Sequence, residues 1–309
     1  QLIHALTLSL LAAMACAADE AAPRYHVLIS NDDGVGAPGI EALAAVLVAD
    51  PAYRVTVVAP ASNQSAKAHA LNIEGLLEVS RHDPVAGCEA WAVEGTPASS
   101  VRVALSGILA DDPPDLVLSG INRGENCGRI AWYSGTVGAA REAVLAGVPA
   151  VAFSLQLDWS DPKPDYHAAA RWAKGVVDAV RRHGLPTGVL LNVNLPGLPG
   201  AQLRGARVTR LSRDCCLTRL SVHPDEVRLG TFHFRTQRLV PRDELEGSDE
   251  WAIANGYVSL TPLTPDVSYL GEVAQVREWL DDLLPRSRGS GACGSSPRGV
   301  TGAPPSGGA

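Results

Sequence analysis

The sequence predicts an α/β fold: a mainly parallel sheet with helices on both faces. Two observations carry this. Between Tyr25 and Asn194, short aliphatic and β-branched runs alternate with stretches whose apolar residues recur at helical spacing. The runs are continuously apolar rather than alternating, as expected of strands covered on both sides.

The elements follow in order. Tyr25 to Ser30 reads as a buried strand, and Gly39 to Asp50 as a helix with Ile40, Leu43, Ala44 and Leu47 on one face. Arg54 to Ala59 and Asp115 to Ser119 are the next strands, followed by an Ala-rich helix from Thr136 to Ala146. Ala150 to Leu155 is a strand, Tyr166 to His183 a helix, and Gly188 to Val193 a further strand. After Asn194 the rhythm changes. Arg204 to Leu211, Val227 to Arg235 and Tyr257 to Leu260 predict antiparallel strands or hairpins, and Glu272 to Leu284 an amphipathic helix.

The ends differ from the middle. Leu2 to Ala17 is apolar, too short to span a bilayer comfortably, and ends in small residues. This reads as an export signal within residues 1–22, hence a periplasmic or secreted protein; a buried N-terminal helix is the alternative. Residues 286–309 are rich in Gly, Ser and Pro and predict a disordered tail. The predicted domain is therefore 23–285, with a core over 23–200 and a hairpin and helix extension over 201–285.

A net charge of −7 without a long basic run argues against a nucleic-acid polymer as partner. Six cysteines lie in no zinc-like spacing. The six tryptophans read as core or interface, with Trp132 alone placed beside a polar loop where it can meet a ligand. His69, His167 and His183 read as solvated or helix-end residues.

In an open parallel sheet, ligands bind beyond the carboxyl ends of the strands. Four polar segments fall there. Ser30-Asn31-Asp32-Asp33-Gly34 carries adjacent carboxylates, which repel unless a proton or cation offsets them, and this suits a hard ion such as Mg²⁺ or Mn²⁺. A surface turn is the plain alternative. A receiver domain also carries an early acidic pair but needs an Asp after its third strand, where this chain has Ser119-Gly120-Ile121-Asn122.

The second segment, Ala59 to Ala66, offers neutral oxygen acceptors, or is an ordinary strand-to-helix loop. The third, Ser119 to Gly128, reads as a loop too polar for the core, with Asn122 able to offer an amide oxygen to a metal and Asn126 able to donate to a phosphate. In the fourth, Ser134-Gly135-Thr136 opens a helix, where free N–H groups favour an anion.

The segments VLISNDDGVGAPGI, VVAPASNQSA, DLVLSGINRGENCG, YSGTVGAAREA and GYVSLTPL, in this order and spacing, resemble the SurE family of metal-dependent nucleotidases over roughly Tyr25 to Leu284. The resemblance implies a Rossmann-like three-layer αβα sandwich with a C-terminal antiparallel hairpin extension that serves homodimer or homotetramer assembly. It implies a divalent cation, Mg²⁺ or Mn²⁺, on Asp32, Asp33, Ser65 and Asn122, with Asp32 and Asp33 as the catalytic pair. It also implies phosphate contacts from Asn63, Asn126, Ser134, Gly135 and Thr136.

The expected activity is 5′-nucleotidase-type hydrolysis of nucleoside 5′- or 3′-monophosphates. The competing readings are a broad acid phosphatase or exopolyphosphatase, and a catalytically silent nucleotide- and metal-binding module. Gly36 departs from the His frequent at that place in the family, and family members are mostly cytoplasmic.

Overall fold

The computed structural model describes residues 24–157, 164–198, 202–213, 219–222, 234–237 and 245–268. The predicted export signal, the helix from Glu272 to Leu284, the tail, and Cys16, Cys215, Cys216 and Cys293 lie outside these residues. By its internal contacts the chain divides into two units, Gln1–Asp266 and Val267–Ala309, and every helix and strand of the described residues belongs to the first.

The first half contains β1 (Tyr25–Ser30), α1 (Pro38–Val48), β2 (Tyr53–Pro60), β3 (Val79–Val85), β4 (Cys88–Val93), α2 (Pro97–Val103) and β5 (Leu116–Arg123). A 3₁₀ turn over Gly128–Trp132 leads into α3 (Gly135–Leu145). Then come β6 (Ala150–Leu155), α4 (Tyr166–His183), β7 (Leu190–Leu195), β8 (Ala206–Val208), β9 (Arg219–Val222), β10 (Phe234–Gln237), α5 (Asp249–Ala254) and β11 (Val258–Leu263).

Nine strands form one sheet in the order β3-β4-β2-β1-β5-β6-β7-β11-β8. From β4 to β7 every neighbouring pair is parallel. Successive strand side chains point to opposite faces, so one sequence feeds two cores. Val27 and Ile29 pack under α1 and α4 with Ile40, Leu43, Leu47 and Val177. Leu28 and Val58 pack against Val101, Val137 and Ala140 from α2 and α3. The result is the predicted α/β/α sandwich. The chain leaves β1 toward β2 and β4, then returns to β5 on the other side of β1. The reversal of order between β1 and β5 opens a crevice at their carboxyl ends.

Several expectations need correction. The segment Ser119 to Asn122 is not a loop: β5 continues through Arg123 and these four residues are buried. The strand can continue because its register against β6 shifts between Ser119 and Asn122. Gly120 sits at that shift with φ +134°, and a Cβ there would stand 2.4 Å from the Phe153 carbonyl oxygen, so no side chain fits.

The hairpin β3–β4 and helix α2 were not anticipated. β3 is an exposed edge strand whose Arg81, His82, Asp83 and Pro84 carry no apolar signal. The strand expected over Arg204 to Leu211 shrinks to β8, which pairs with β11 in parallel rather than antiparallel. β11 itself joins the main sheet antiparallel to β7. Only β9 and β10 form a separate antiparallel hairpin among the described residues. Of the strand expected over Val227 to Arg235, residues 227–233 lie outside the described residues.

Candidate active site

The chain turns sharply after β1. The Asn31 side chain accepts from the Gly34 N–H at 3.1 Å and donates to the Gly34 carbonyl at 2.8 Å. This closes a tight turn and presents Asp32 and Asp33 at the mouth of the crevice.

Each of the other three segments reaches this pair directly. From the loop after β2, the Gln64 N–H donates to the Asp32 carbonyl at 2.7 Å and Asn63 Nδ2 to Asp33 Oδ1 at 3.4 Å. From the end of β5, the Arg123 N–H donates to Asp33 Oδ2 at 3.0 Å. From the start of α3, Thr136 Oγ1 donates to Asp32 Oδ1 at 2.6 Å. A Cβ on Gly135 would stand 2.8 Å from Asp32 Cβ and 2.9 Å from its Oδ2, so only glycine lets the helix come this close.

Burial governs the charge on the pair. Asp32 is 3% exposed, and desolvation pushes its pKa up to about 6. The Thr136 hydroxyl and backbone N–H work against that rise, and the neighbouring Asp33 charge adds to it. Asp33 is also raised by burial, though the N–H and charge of Arg123 oppose the shift. The N-terminus of α3 is thus aimed at Asp32 itself, and its dipole offsets part of the desolvation. Ser134 caps the helix, its Oγ accepting from the Val137 N–H at 3.1 Å.

The remaining predicted residues lie on the same segments. Asn122, at the end of β5, donates Nδ2 to the Gly124 carbonyl at 2.7 Å, so its Oδ1 is the end left to accept or ligate. Ser65 is exposed, and its N–H donates to Asn63 Oδ1 at 3.0 Å. Asn126 is buried beneath Thr136 rather than open to a ligand. Its Nδ2 meets Ser154 Oγ at 2.8 Å and Thr136 Oγ1 at 3.4 Å.

Sequence reading missed the layer under the site. Asn194 Oδ1 accepts from the Asn126 N–H at 2.7 Å, and Asn192 Nδ2 donates to the Asn126 carbonyl at 2.9 Å. The signal was present: two asparagines at i and i+2 in LLNVNL share one face of a buried strand, where polar side chains need a partner. Asp249 adds a second anchor, accepting from the Gly128 N–H and the Ser212 N–H at 2.8 Å each.

His69 is not solvated, as its sequence neighbourhood suggested. Its Nε2 lies 2.8 Å from Glu142 Oε2, and Arg102 lies 2.5 Å from the other carboxylate oxygen. Burial opposes ionisation of Glu142, but His69 and Arg102 outweigh it and hold the carboxyl below its usual value. The pairing fastens the segment after Ser65 to α3, helped by the Ala68 N–H donating to the Tyr133 carbonyl at 3.0 Å. His69→Ala is expected to destabilise the protein by about 1–2 kcal/mol, read as a lower urea midpoint at unchanged slope.

The donor set fits a hard cation. Two carboxylates, a hydroxyl and an amide supply only oxygen, which suits Mg²⁺ or Mn²⁺. The groups that contact Asp32 are hydroxyl, backbone and a second carboxylate, none of them cationic, so a buried negative charge awaits compensation. Among the described residues no three His, Cys, Asp or Glu come together, so no competing site of that type arises.

Comparison with known proteins gives the family. The model of the family described as "Survival protein SurE" matches residues 27–216. Among solved structures, the SurE protein from Aquifex aeolicus is similar at 34% identity with a TM-score of 0.69, over 84% of this chain and 99% of that one. On both grounds, the chain belongs to the SurE family.

Proposed function

We propose that this protein hydrolyses nucleoside 5′- and 3′-monophosphates to nucleoside and phosphate, with a divalent cation held by Asp32, Asp33, Ser65 and Asn122. Membership of the SurE family supports the coarser part, a phosphatase-type hydrolase. One observation carries the site: the loop after β2, the end of β5 and the start of α3 each make a direct hydrogen bond to Asp32 or Asp33.

When bound there, Mg²⁺ or Mn²⁺ supplies charge compensation to a phosphoryl oxygen and lowers the pKa of a water. The chain does the rest. Asp32 and Asp33 hold the cation and set the total charge. The amide of Asn63, beside Asp33, is positioned to donate to a phosphoryl oxygen. The N-terminal turn of α3 at Ser134, Gly135 and Thr136 presents positive potential toward the same point, where negative charge builds during transfer. Asn126 steadies this turn from below by its contact with Thr136. Asp33, less buried than Asp32, is the better placed of the two to accept a proton from the attacking water.

The test is phosphate release from AMP and GMP by purified protein across a panel of divalent ions. Release should require Mn²⁺ or Mg²⁺, stop on adding EDTA and return when the ion is restored. Undiminished release in EDTA would reject the cation. Tight nucleotide binding without release under every ion would instead support a silent binding module.

A further inference from the structure

Asp33 stands between two unlike surroundings. Toward Asp32 the site is closed: Gly135 lies against that carboxylate and Thr136 covers it. On the other side, Asp33 borders a cavity of about 380 Å³, also lined by Gly36, Pro38, Ser62, Arg123 and Tyr166. None of Asn126, Ser134, Gly135 and Thr136 lines it. The volume is far more than an ion needs and falls within the roughly 300–1,000 Å³ of small-molecule pockets.

The walls have a definite chemistry. Tyr166, at the start of α4, offers a half-buried ring, its hydroxyl pushed up to about 12 by burial and by Asp33 and therefore uncharged at neutral pH. Arg123 is exposed at the rim, and its side chain forms no ion pair among the described residues. The floor at Gly36 is bare, with no neighbour within 4 Å of where a Cβ would stand. An aromatic wall, an exposed guanidinium at the rim and an apolar floor at Pro38 suit a flat heterocycle bearing hydrogen-bond acceptors.

We infer that this cavity seats the nucleoside leaving group, with the base against Tyr166 and its acceptors toward Arg123. The inference rests on the nucleotidase reading and deepens it. A phosphoryl group held between the Asp pair and α3 has room for a large substituent past Asp33, and none past Asp32.

The experiment compares AMP with ribose 5-phosphate, which shares the phosphate ester and lacks the base. It uses wild type, Tyr166→Ala, Gly36→Phe and, as a control, Trp132→Ala, which removes an exposed indole preceding α3. Gly36→Phe fills the cavity from an open position and spares the core, so it remains informative if Tyr166→Ala folds poorly. Both cavity variants should lower the ratio of kcat/KM for AMP to that for ribose 5-phosphate about tenfold, through KM. Trp132→Ala should leave the ratio unchanged. Adenosine binding, measured by calorimetry on the metal-loaded protein, should weaken by a similar factor in both cavity variants.

Equal losses on both substrates, an unchanged ratio, or a ratio shifted by Trp132→Ala instead would overturn the assignment. If wild type releases phosphate from neither substrate, the nucleotidase reading fails. The adenosine titrations then judge the cavity alone: weakened binding in both variants upholds it as a nucleoside site, and unaltered binding rejects it.

Discussion

Asp32→Asn is expected to abolish phosphate release, by roughly a thousandfold or more, and at neutral pH to make the metal-free protein harder to unfold. The two effects share one cause. Asp32 is almost fully buried beside another carboxylate, and its pKa rises to about 6. A carboxyl with a raised native pKa binds protons more readily folded than unfolded. Its contribution to stability is complete below the unfolded value near 3.8 and is lost as pH climbs through about 6. For metal-free wild type, that loss amounts to about 2 kcal/mol between pH 4 and pH 7. Asn has the same shape and no charge, so the variant should lack this slope. Thermal melts in EDTA across that pH range would show the two proteins converging at low pH and separating near neutrality. Added Mn²⁺ should raise the melting temperature of wild type and leave the variant's nearly unmoved. Equal melting behaviour at pH 7 in EDTA, or appreciable turnover by the variant, would contradict the assignment.

Gly135→Ala is expected to cost about a hundredfold in turnover while adding only one methyl group. That methyl would stand 2.8 Å from Asp32 Cβ, 2.9 Å from Asp32 Oδ2 and 3.0 Å from Pro97 Cγ. Asp32 Cβ and Pro97 Cγ have little room to yield, and the carboxylate is held by Thr136. Either α3 retreats or the carboxylate swings, and each outcome misplaces Asp32 and Asp33 relative to the helix tip. Overpacking of this kind also destabilises by about 1–3 kcal/mol, partly offset by alanine's better helix propensity. Gly107→Ala is the matched control, since nothing lies within 4 Å of its Cβ position. Turnover in Gly135→Ala within about threefold of the control would mean that the close approach has no catalytic role.

Much of this was legible in the sequence, for stated reasons. The parallel core announced itself because VLIS and AVAFSL are apolar on both faces, as only a strand covered by helices on both sides can be. α4 was readable to its ends, Tyr166 and His183, and the structure adds the caps, Asp165 before it and Gly184 after it. The candidate site was readable because acids, amides and small residues gathered at strand ends. What escaped depended on distance. His69 looked solvated because its partner Glu142 lies 73 residues away in an Ala-rich helix. The end of β5 looked like a loop because Gly and Asn dominate it. Its burial comes from pairing with Ser154 and Leu155 of β6, which composition does not encode. β8 could not be oriented, since its three exposed residues give no face to the pattern.

The hydrogen bond from Thr136 to Asp32 spans 104 positions of chain. A fragment ending before Gly135 would therefore own both acids and still lack a working centre. During synthesis, competence must arrive late, after β5 and α3 have emerged and docked. Once assembled, occupancy of that one point clamps distant stretches of polypeptide together, so substrate or ion should shield the whole domain from proteases, not merely the loops that touch them.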